Sequence, residues 1–264
     1  TTLHGTDITL VGTDPGFCRL TKYAMESSDA VTSVSQWLTE ETQREFKLSV
    51  PVRTIYNFIN LDKFQTHSVD RCNLAGEGEK IVMHISNFRP VKRVTDVVRA
   101  FKKISDRVNA RLIMVGDGPE RLSAVGVARQ LGISDRIKYL GNNENIEMIL
   151  PCADLVFQPS EHESFGLVAL EAMACGVPVL GTDSGGVREV VVSGETGYLC
   201  EVGDIETMAA RAIDILTNDQ LARDMGARGR KHAETHFARG PIVSQYEALY
   251  RELLDRKCNG GKGA

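Results

Sequence analysis

Between Lys80 and Val192 short apolar runs alternate with stretches of helical length, and no other feature constrains the fold as tightly. Strands are expected at 80–85, 110–115, 136–140, 154–157 and 177–181, with helices at 93–108, 119–131, 143–150, 165–175 and 186–192. The run Leu112-Ile113-Met114-Val115 has no polar alternation. Such runs belong to parallel strands covered on both faces. Strands alternating with helices build right-handed βαβ units, so the expectation is an α/β fold with a doubly wound parallel sheet.

Upstream the same rhythm is briefer. A strand is expected over Asp29–Ser35, then a helix from Gln36 to Phe46 capped by Ser35, then a short strand at Val52–Tyr56. From Leu61 to Glu79 the pattern dissolves into polar residues with Gly76 and Gly78. The expected organisation is 1–62 as part of a first Rossmann-like domain, 63–79 as linker and 80–238 as a second Rossmann-like domain. Helices at 204–217, 219–234 and 240–257 close the chain; 239–258 is set apart as a C-terminal helix and 259–264 as a disordered tail. The chain opens not on Met but on Thr1-Thr2-Leu3 running into His4-Gly5-Thr6-Asp7, like the end of a strand entering a loop. The first domain is therefore expected to be incomplete in this chain.

The 264 residues exceed a typical domain of roughly 100–200 residues. With 42% hydrophobic and 25% charged residues the composition is that of a globular protein. A net charge of −4 gives no reason to propose nucleic acid or an anionic membrane as partner. No apolar run approaches the ~20 residues of a membrane span. The six cysteines include no C-x-x-C pair, as expected of free thiols in a reducing cytoplasm.

In an open α/β sheet, ligands bind outside the carboxyl ends of the strands. The loops at 86–93, 116–119, 160–166 and 182–186 all follow strands and should meet at that rim. In Glu161-His162-Glu163-Ser164-Phe165-Gly166-Leu167-Val168-Ala169-Leu170-Glu171 a strand gives way to a helix beginning near Phe165. The free N–H groups of Ser164 to Leu167 then suit a diphosphate or sugar hydroxyls. Glu163 and Glu171 lie two turns apart on such a helix: they are either ligands for the two ends of a nucleotide-sugar or ordinary acidic helix residues. In Ser86-Asn87-Phe88-Arg89-Pro90-Val91-Lys92-Arg93 cations crowd a helix start, where they are unfavourable without an anion to hold. His4, in its glycine-bearing loop, is either structural or a partner of a sugar hydroxyl.

The pattern Glu163-Ser164-Phe165-Gly166-x₄-Glu171-Ala172-x-Ala174-Cys175-Gly176-x-Pro178-Val179 resembles the signature of glycosyltransferase family 4. That resemblance implies a GT-B fold: two Rossmann-like, doubly wound parallel-sheet domains. It implies that Glu163 and the backbone of Ser164, Phe165, Gly166 and Leu167 hold the donor sugar, and that Glu171 binds the ribose. Ser86, Asn87, Arg89 and Lys92 become donor-binding residues, with Lys92 in the family's lysine place. Asn87 departs from the arginine many members carry there, so Arg89 is taken to substitute, with Arg93 as competitor. His4-Gly5-Thr6-Asp7 with Ile8-Thr9-Leu10-Val11-Gly12, Glu26-Ser27-Ser28-Asp29 and Ile55-Tyr56-Asn57-Phe58-Ile59 are similar to a narrower group within the family. Those members move GlcNAc from UDP-GlcNAc to L-malate with retention, the first step of bacillithiol synthesis.

By that resemblance the catalytic set is His4, Arg89, Lys92 and Glu163, and the acceptor site comprises Gly5, Thr6, Arg19 and Lys22. No cofactor is implied: UDP-GlcNAc is a substrate, and the chain has no Asp-x-Asp pair for a metal. Expected partners are small molecules, a UDP-sugar and a small anionic acceptor, with a homo-oligomer as an open alternative. Two rival functions stand beside this one: transfer of another sugar, such as mannose or glucose, to another acceptor, and nucleotide binding alone. Gly116-x-Gly118 lacks a third glycine and reads as a cleft-lining turn. Gly185-Gly186 reads as either a close approach to the donor or a tight turn. His232-x₃-His236 has helical metal spacing but no evident third ligand, and is expected to lie on an exposed helix.

Overall fold

The computed structural model describes residues 1–6, 8–9, 14–66 and 74–260. The calls on Asp7, on Leu10 to Gly12, on Cys72 and on the middle of the expected linker lie outside the described residues. The chain divides into two compact units, Thr1–Phe58 with Phe237–Ala264, and Ile59–His236.

The first unit holds a parallel sheet in the order β1 (Thr2–Leu3), β2 (Val31–Ser33), β3 (Val52–Thr54). Helix α1 (Pro15–Glu26) follows β1, with Pro15 at its first turn and Asp14 accepting from the Gly16 N–H at 2.7 Å. Helix α2 (Gln36–Phe46) starts where Ser35 predicts, the serine hydroxyl accepting from the Leu38 N–H at 3.0 Å. Leu3, Met25, Val31, Val34, Leu38 and Phe46 are buried in this unit.

The second unit is a six-stranded, all-parallel sheet. Its strands are β4 (Lys80–Ile85), β5 (Ala110–Val115), β6 (Ile137–Gly141), β7 (Leu155–Gln158), β8 (Val179–Thr182) and β9 (Gly197–Cys200), in the order β6-β5-β4-β7-β8-β9. The chain winds outward from β4 in one direction, then crosses back to β7 and winds outward in the other. The switch point therefore falls between β4 and β7, paired as Val82↔Leu155 and Met83↔Val156. Helices α3 (Val94–Ser105), α4 (Arg121–Gln130), α5 (Ile146–Ile149), α6 (Leu167–Ala174), α7 (Val187–Val190), α8 (Ile205–Thr217) and α9 (Asp219–His236) complete the unit. One apolar core joins β4, β5 and β7 to α3 and α8 through Val82, Leu112, Phe157, Val97, Phe101 and Met208. The last helix, α10 (Arg239–Gly260), belongs to the first unit.

Four expectations need correction. Strand β9 went unread because Gly194-Glu195-Thr196-Gly197 looks like a turn, yet Gly197 opens the strand. A Cβ there would stand 2.3 Å from the Val179 carbonyl oxygen, so only glycine lets β9 pair with β8. The helix expected from Arg93 is a 3₁₀ turn at Pro90–Lys92 followed by α3, with Arg93 between them at φ 49°. Helix α6 starts at Leu167 rather than Phe165, because Gly166 takes φ 99° and resets the chain direction there. The tail expected to be disordered from 259 is helical through Gly260, continuing a helix anchored by buried Ile242 and Leu249; 261–264 lie outside the described residues. Cys18, Cys175, Cys200 and Cys258 are free thiols. Among the described residues no helix is long and apolar enough to cross a membrane.

Candidate active site

Two pairs of glycines shape the switch point. A Cβ on Gly116 or Gly118 would stand 1.8 Å from the Ser86 carbonyl oxygen or 2.2 Å from that of Asn87. The turn after β5 is thus pressed, backbone to backbone, on the loop after β4, and the Glu120 N–H donates to the Phe88 carbonyl at 2.9 Å. On the other side, a Cβ on Gly185 or Gly186 would stand 2.3 Å from the carbonyl oxygens of Glu163 or Ser164. The Gly186 N–H donates to the Glu163 carbonyl at 2.7 Å. Gly185-Gly186 is the tight turn into α7, with Gly185 at φ 70°, and it packs on the Glu163-Ser164 backbone.

Between these braced loops lies a cleft of about 240 Å³. It brings together Ser86, Asn87 and Lys92 from the β4 loop with Glu163, Gly166 and Leu167 from the β7 loop and α6. In its lining Lys92 Nζ donates to Glu163 Oε2 at 2.6 Å, with the side chains 18% and 22% exposed. Gln158 and Ser160 are among the cleft residues to which the sequence assigned no role. Gln158 ends β7 and donates from Nε2 to the Ile85 carbonyl at 3.1 Å. Ser160 is buried and its hydroxyl has no hydrogen-bond partner. Their signal was positional only: Gln158 ends the apolar strand β7 and Ser160 lies two residues beyond it.

His84, also unflagged, is fully buried on β4. Its Nδ1 lies 2.8 Å from the Phe157 carbonyl oxygen and its Nε2 2.8 Å from Ser86 Oγ. Burial pulls its pKa down to about 4; the bond to Phe157 opposes the shift and the Lys92 charge adds to it. The ring is neutral at physiological pH.

Glu171 sits in the second turn of α6, not on a solvated face. Burial pushes its carboxyl up to about 7; the Lys63 ammonium opposes this and Glu147 adds to it. Lys63 and Glu147 themselves pair at 3.3 Å. The neighbouring Cys175 thiol is pushed up to about 12, again chiefly by burial, and is inert as a nucleophile.

The other expected residues are placed as follows. Arg89 is exposed and stands outside the lining of the cleft. Its competitor Arg93 is engaged elsewhere, holding Asp96 at 2.7 Å through Nε and 2.5 Å through its terminal nitrogen. Phe165 is buried as an anchor of its loop, and Ser164 is partly exposed. His4, Gly5, Thr6, Arg19 and Lys22 belong to the first unit. There Gly5 takes φ 127° and its carbonyl accepts from the N–H groups of Ile8 and Thr9, each at 2.8 Å. Lys22 Nζ donates to the Phe46 and Lys47 carbonyls, each at 2.9 Å, closing the C-terminus of α2. That duty competes with an acceptor-binding role. The rings of His232 and His236 on α9 lie 4.5 Å apart, tilted by 45°, and among the described residues no cluster of three or more His, Cys, Asp or Glu could hold a metal.

A parallel sheet with a switch-point cleft, a lysine–glutamate pair in its lining and a second glutamate half-buried on the adjoining helix defines the class. Residues 69–232 match the family described as glycosyl transferases group 1, and the chain belongs to that family. N-acetyl-alpha-D-glucosaminyl L-malate synthase of Bacillus anthracis is 47% identical over 263 residues, 98% of this chain and 69% of that protein. A D-inositol 3-phosphate glycosyltransferase of Corynebacterium efficiens is 32% identical over 192 residues, covering 69% of this chain and 45% of that protein. Among solved structures, sucrose-phosphate synthase from Thermosynechococcus elongatus superposes with a TM-score of 0.85 at 27% identity, covering 96% of this chain and 67% of that one. Anabaena HepE in complex with UDP-glucose, at 24% identity and TM-score 0.84, covers 95% of this chain and 71% of its own, and attests the fold. These neighbours bear out the expected GT-B architecture.

Proposed function

We propose that this chain carries the donor site of a retaining glycosyltransferase that moves GlcNAc from UDP-GlcNAc to the hydroxyl of L-malate, opening bacillithiol synthesis in the cytoplasm. The 47% identity over nearly the whole chain supports the acceptor and the sugar. The observation that carries the chemistry is the Lys92–Glu163 pair in the cleft at the start of α6.

In ligand-free form each charge of that pair neutralises the other. An arriving diphosphate offers Lys92 a stronger partner, releasing Glu163 to accept hydrogen bonds from the sugar hydroxyls. As the glycosidic bond breaks, negative charge grows on the departing UDP. Lys92 and the N–H groups opening α6 stabilise it, and Arg89 joins them by moving in from its exposed place. Glu171 takes the ribose hydroxyls. His4, Gly5 and Thr6, with the cation Arg19, serve the acceptor, a dianion. Side chains and helix N–H groups manage the leaving group's charge, so no metal is needed.

Calorimetric titration of UDP and UDP-GlcNAc into the chain tests the donor site. Micromolar-range UDP binding lost in Lys92→Ala and Glu171→Ala is the expected result; a folded chain that ignores UDP overturns it. Product formation from UDP-GlcNAc and malate in excess chelator is expected, and strict dependence on added Mn²⁺ would count against the metal-free route. A second reading, transfer to a different acceptor, is favoured by the 32% relative matching over 69% of this chain. Turnover of GDP-mannose without turnover of UDP-GlcNAc would establish that reading instead.

A further inference from the structure

We infer that His84 fixes Ser86 as an acceptor-only hydroxyl, so that this wall of the cleft reads a hydrogen-bond donor on the transferred sugar and not an oxygen of the diphosphate. The inference rests on the donor-site reading and sharpens it.

The chemistry follows from two distances. His84 Nδ1 faces the Phe157 carbonyl oxygen at 2.8 Å. A carbonyl can only accept, so Nδ1 carries the ring proton. The ring is neutral, and Nε2 therefore presents a lone pair to Ser86 Oγ, 2.8 Å away. The serine hydroxyl must donate its single proton into the ring. Ser86 Oγ then has only lone pairs left, and one accepts from the Phe88 N–H at 3.3 Å. The ring is held at both nitrogens, is fully buried on β4 and stacks on Phe88 with the ring centres 6.0 Å apart.

Ser86 is half-buried and lines the same cleft as Lys92 and Glu163. Phosphate oxygens at neutral pH are acceptors, so they find repulsion at this oxygen where a free serine would offer a bond. A sugar hydroxyl or an acetamido N–H finds an acceptor. His84 is thus a positioning residue: it never meets the substrate, and it sets the polarity of the residue that does.

The test compares UDP, UDP-glucose and UDP-GlcNAc by calorimetry on the 264-residue chain. Ser86→Ala is expected to leave UDP affinity within about twofold and to cost UDP-GlcNAc roughly tenfold, the scale of one buried hydrogen bond. If UDP-glucose suffers equally, the group read is a hydroxyl; if UDP-GlcNAc alone suffers, it is the acetamido N–H. His84→Leu frees the Ser86 hydroxyl to donate, so UDP should bind more tightly and the difference between UDP and UDP-GlcNAc should narrow; His84→Gln, which keeps an acceptor facing Ser86, should return both affinities to those of the unaltered chain. Should His84→Leu fail to fold, Ser86→Ala and His84→Gln still decide. Equal losses for UDP and the UDP-sugars, or no loss in Ser86→Ala, overturn the inference. Absence of UDP binding in the unaltered chain removes the donor-site reading itself, and this inference with it.

Discussion

At the scale of single residues, the site is defined by groups held away from their ordinary state. Glu171 is the clearest case. Its folded pKa of about 7 stands above the ordinary 4.5, so the folded chain holds a proton that the unfolded chain has lost. The stabilisation from that protonated carboxyl is complete below pH 4.5 and disappears as pH rises through 7, a change on the order of 3 kcal/mol. Glu171→Gln, neutral at every pH, should therefore be more stable than the unaltered chain at pH 8 and equal to it near pH 4.5. Thermal melts across that range check the sign, and UDP affinity should fall in the same variant. Lys92→Ala should weaken UDP binding by about 10- to 100-fold, the scale of a charge-assisted hydrogen bond. An effect below twofold in a titration would show that Lys92 serves Glu163 alone. These residue types were legible in Glu163-x₇-Glu171 and in the basic run at 89–93. His84, Gln158 and Ser160 were not, because nothing in a strand's sequence says which neighbour its last side chain will meet.

At the scale of elements, glycine decides where the site loops can lie. Gly186 packs its backbone on Ser164 and Phe165, and a methyl group there would stand 2.3 Å from a carbonyl oxygen. Gly186→Ala must push the β7 loop away, so a loss of roughly 1–3 kcal/mol is expected together with weakened UDP binding. Chemical denaturation and titration of the same preparation check it; an unchanged midpoint would mean the loop yields without cost. The start of α6 was misplaced by two residues for a related reason. Gly166 has Val187 3.3 Å from where its Cβ would be, and its φ of 99° is set by that packing as much as by its own freedom. Helix α2 was placed to the residue because its signals are local: Ser35 caps it, and Lys47 ends it at φ 46°.

At the scale of the whole molecule, the proposed donor and acceptor roles fall on separate units. The six-stranded unit holds every residue assigned to the donor, and the three-stranded unit holds His4 and the acceptor candidates. His4→Ala should thus lower kcat for transfer by 10²-fold or more, the range of a lost acid–base or charge-stabilising group, and leave UDP affinity unchanged. Coupled loss of both, followed by titration and initial rates, would mean His4 supports the donor as well.

Strand periodicity and the caps were enough to determine a doubly wound α/β chain, because hydrophobic alternation and local hydrogen bonding act within a few residues of each other; the GT-B glycosyltransferase kind came from the resemblance carried by the glutamate signature. Only tertiary structure decided that α10 belongs with the first unit, that Arg93 is tied to Asp96, that Lys22 closes a helix and that His84 sets the polarity of Ser86. Each of the last three is an allocation among competing partners. Burial of Glu171 and the backbone contact at Gly186 likewise join segments distant in sequence, and the free energy of such contacts depends on what else is buried with them.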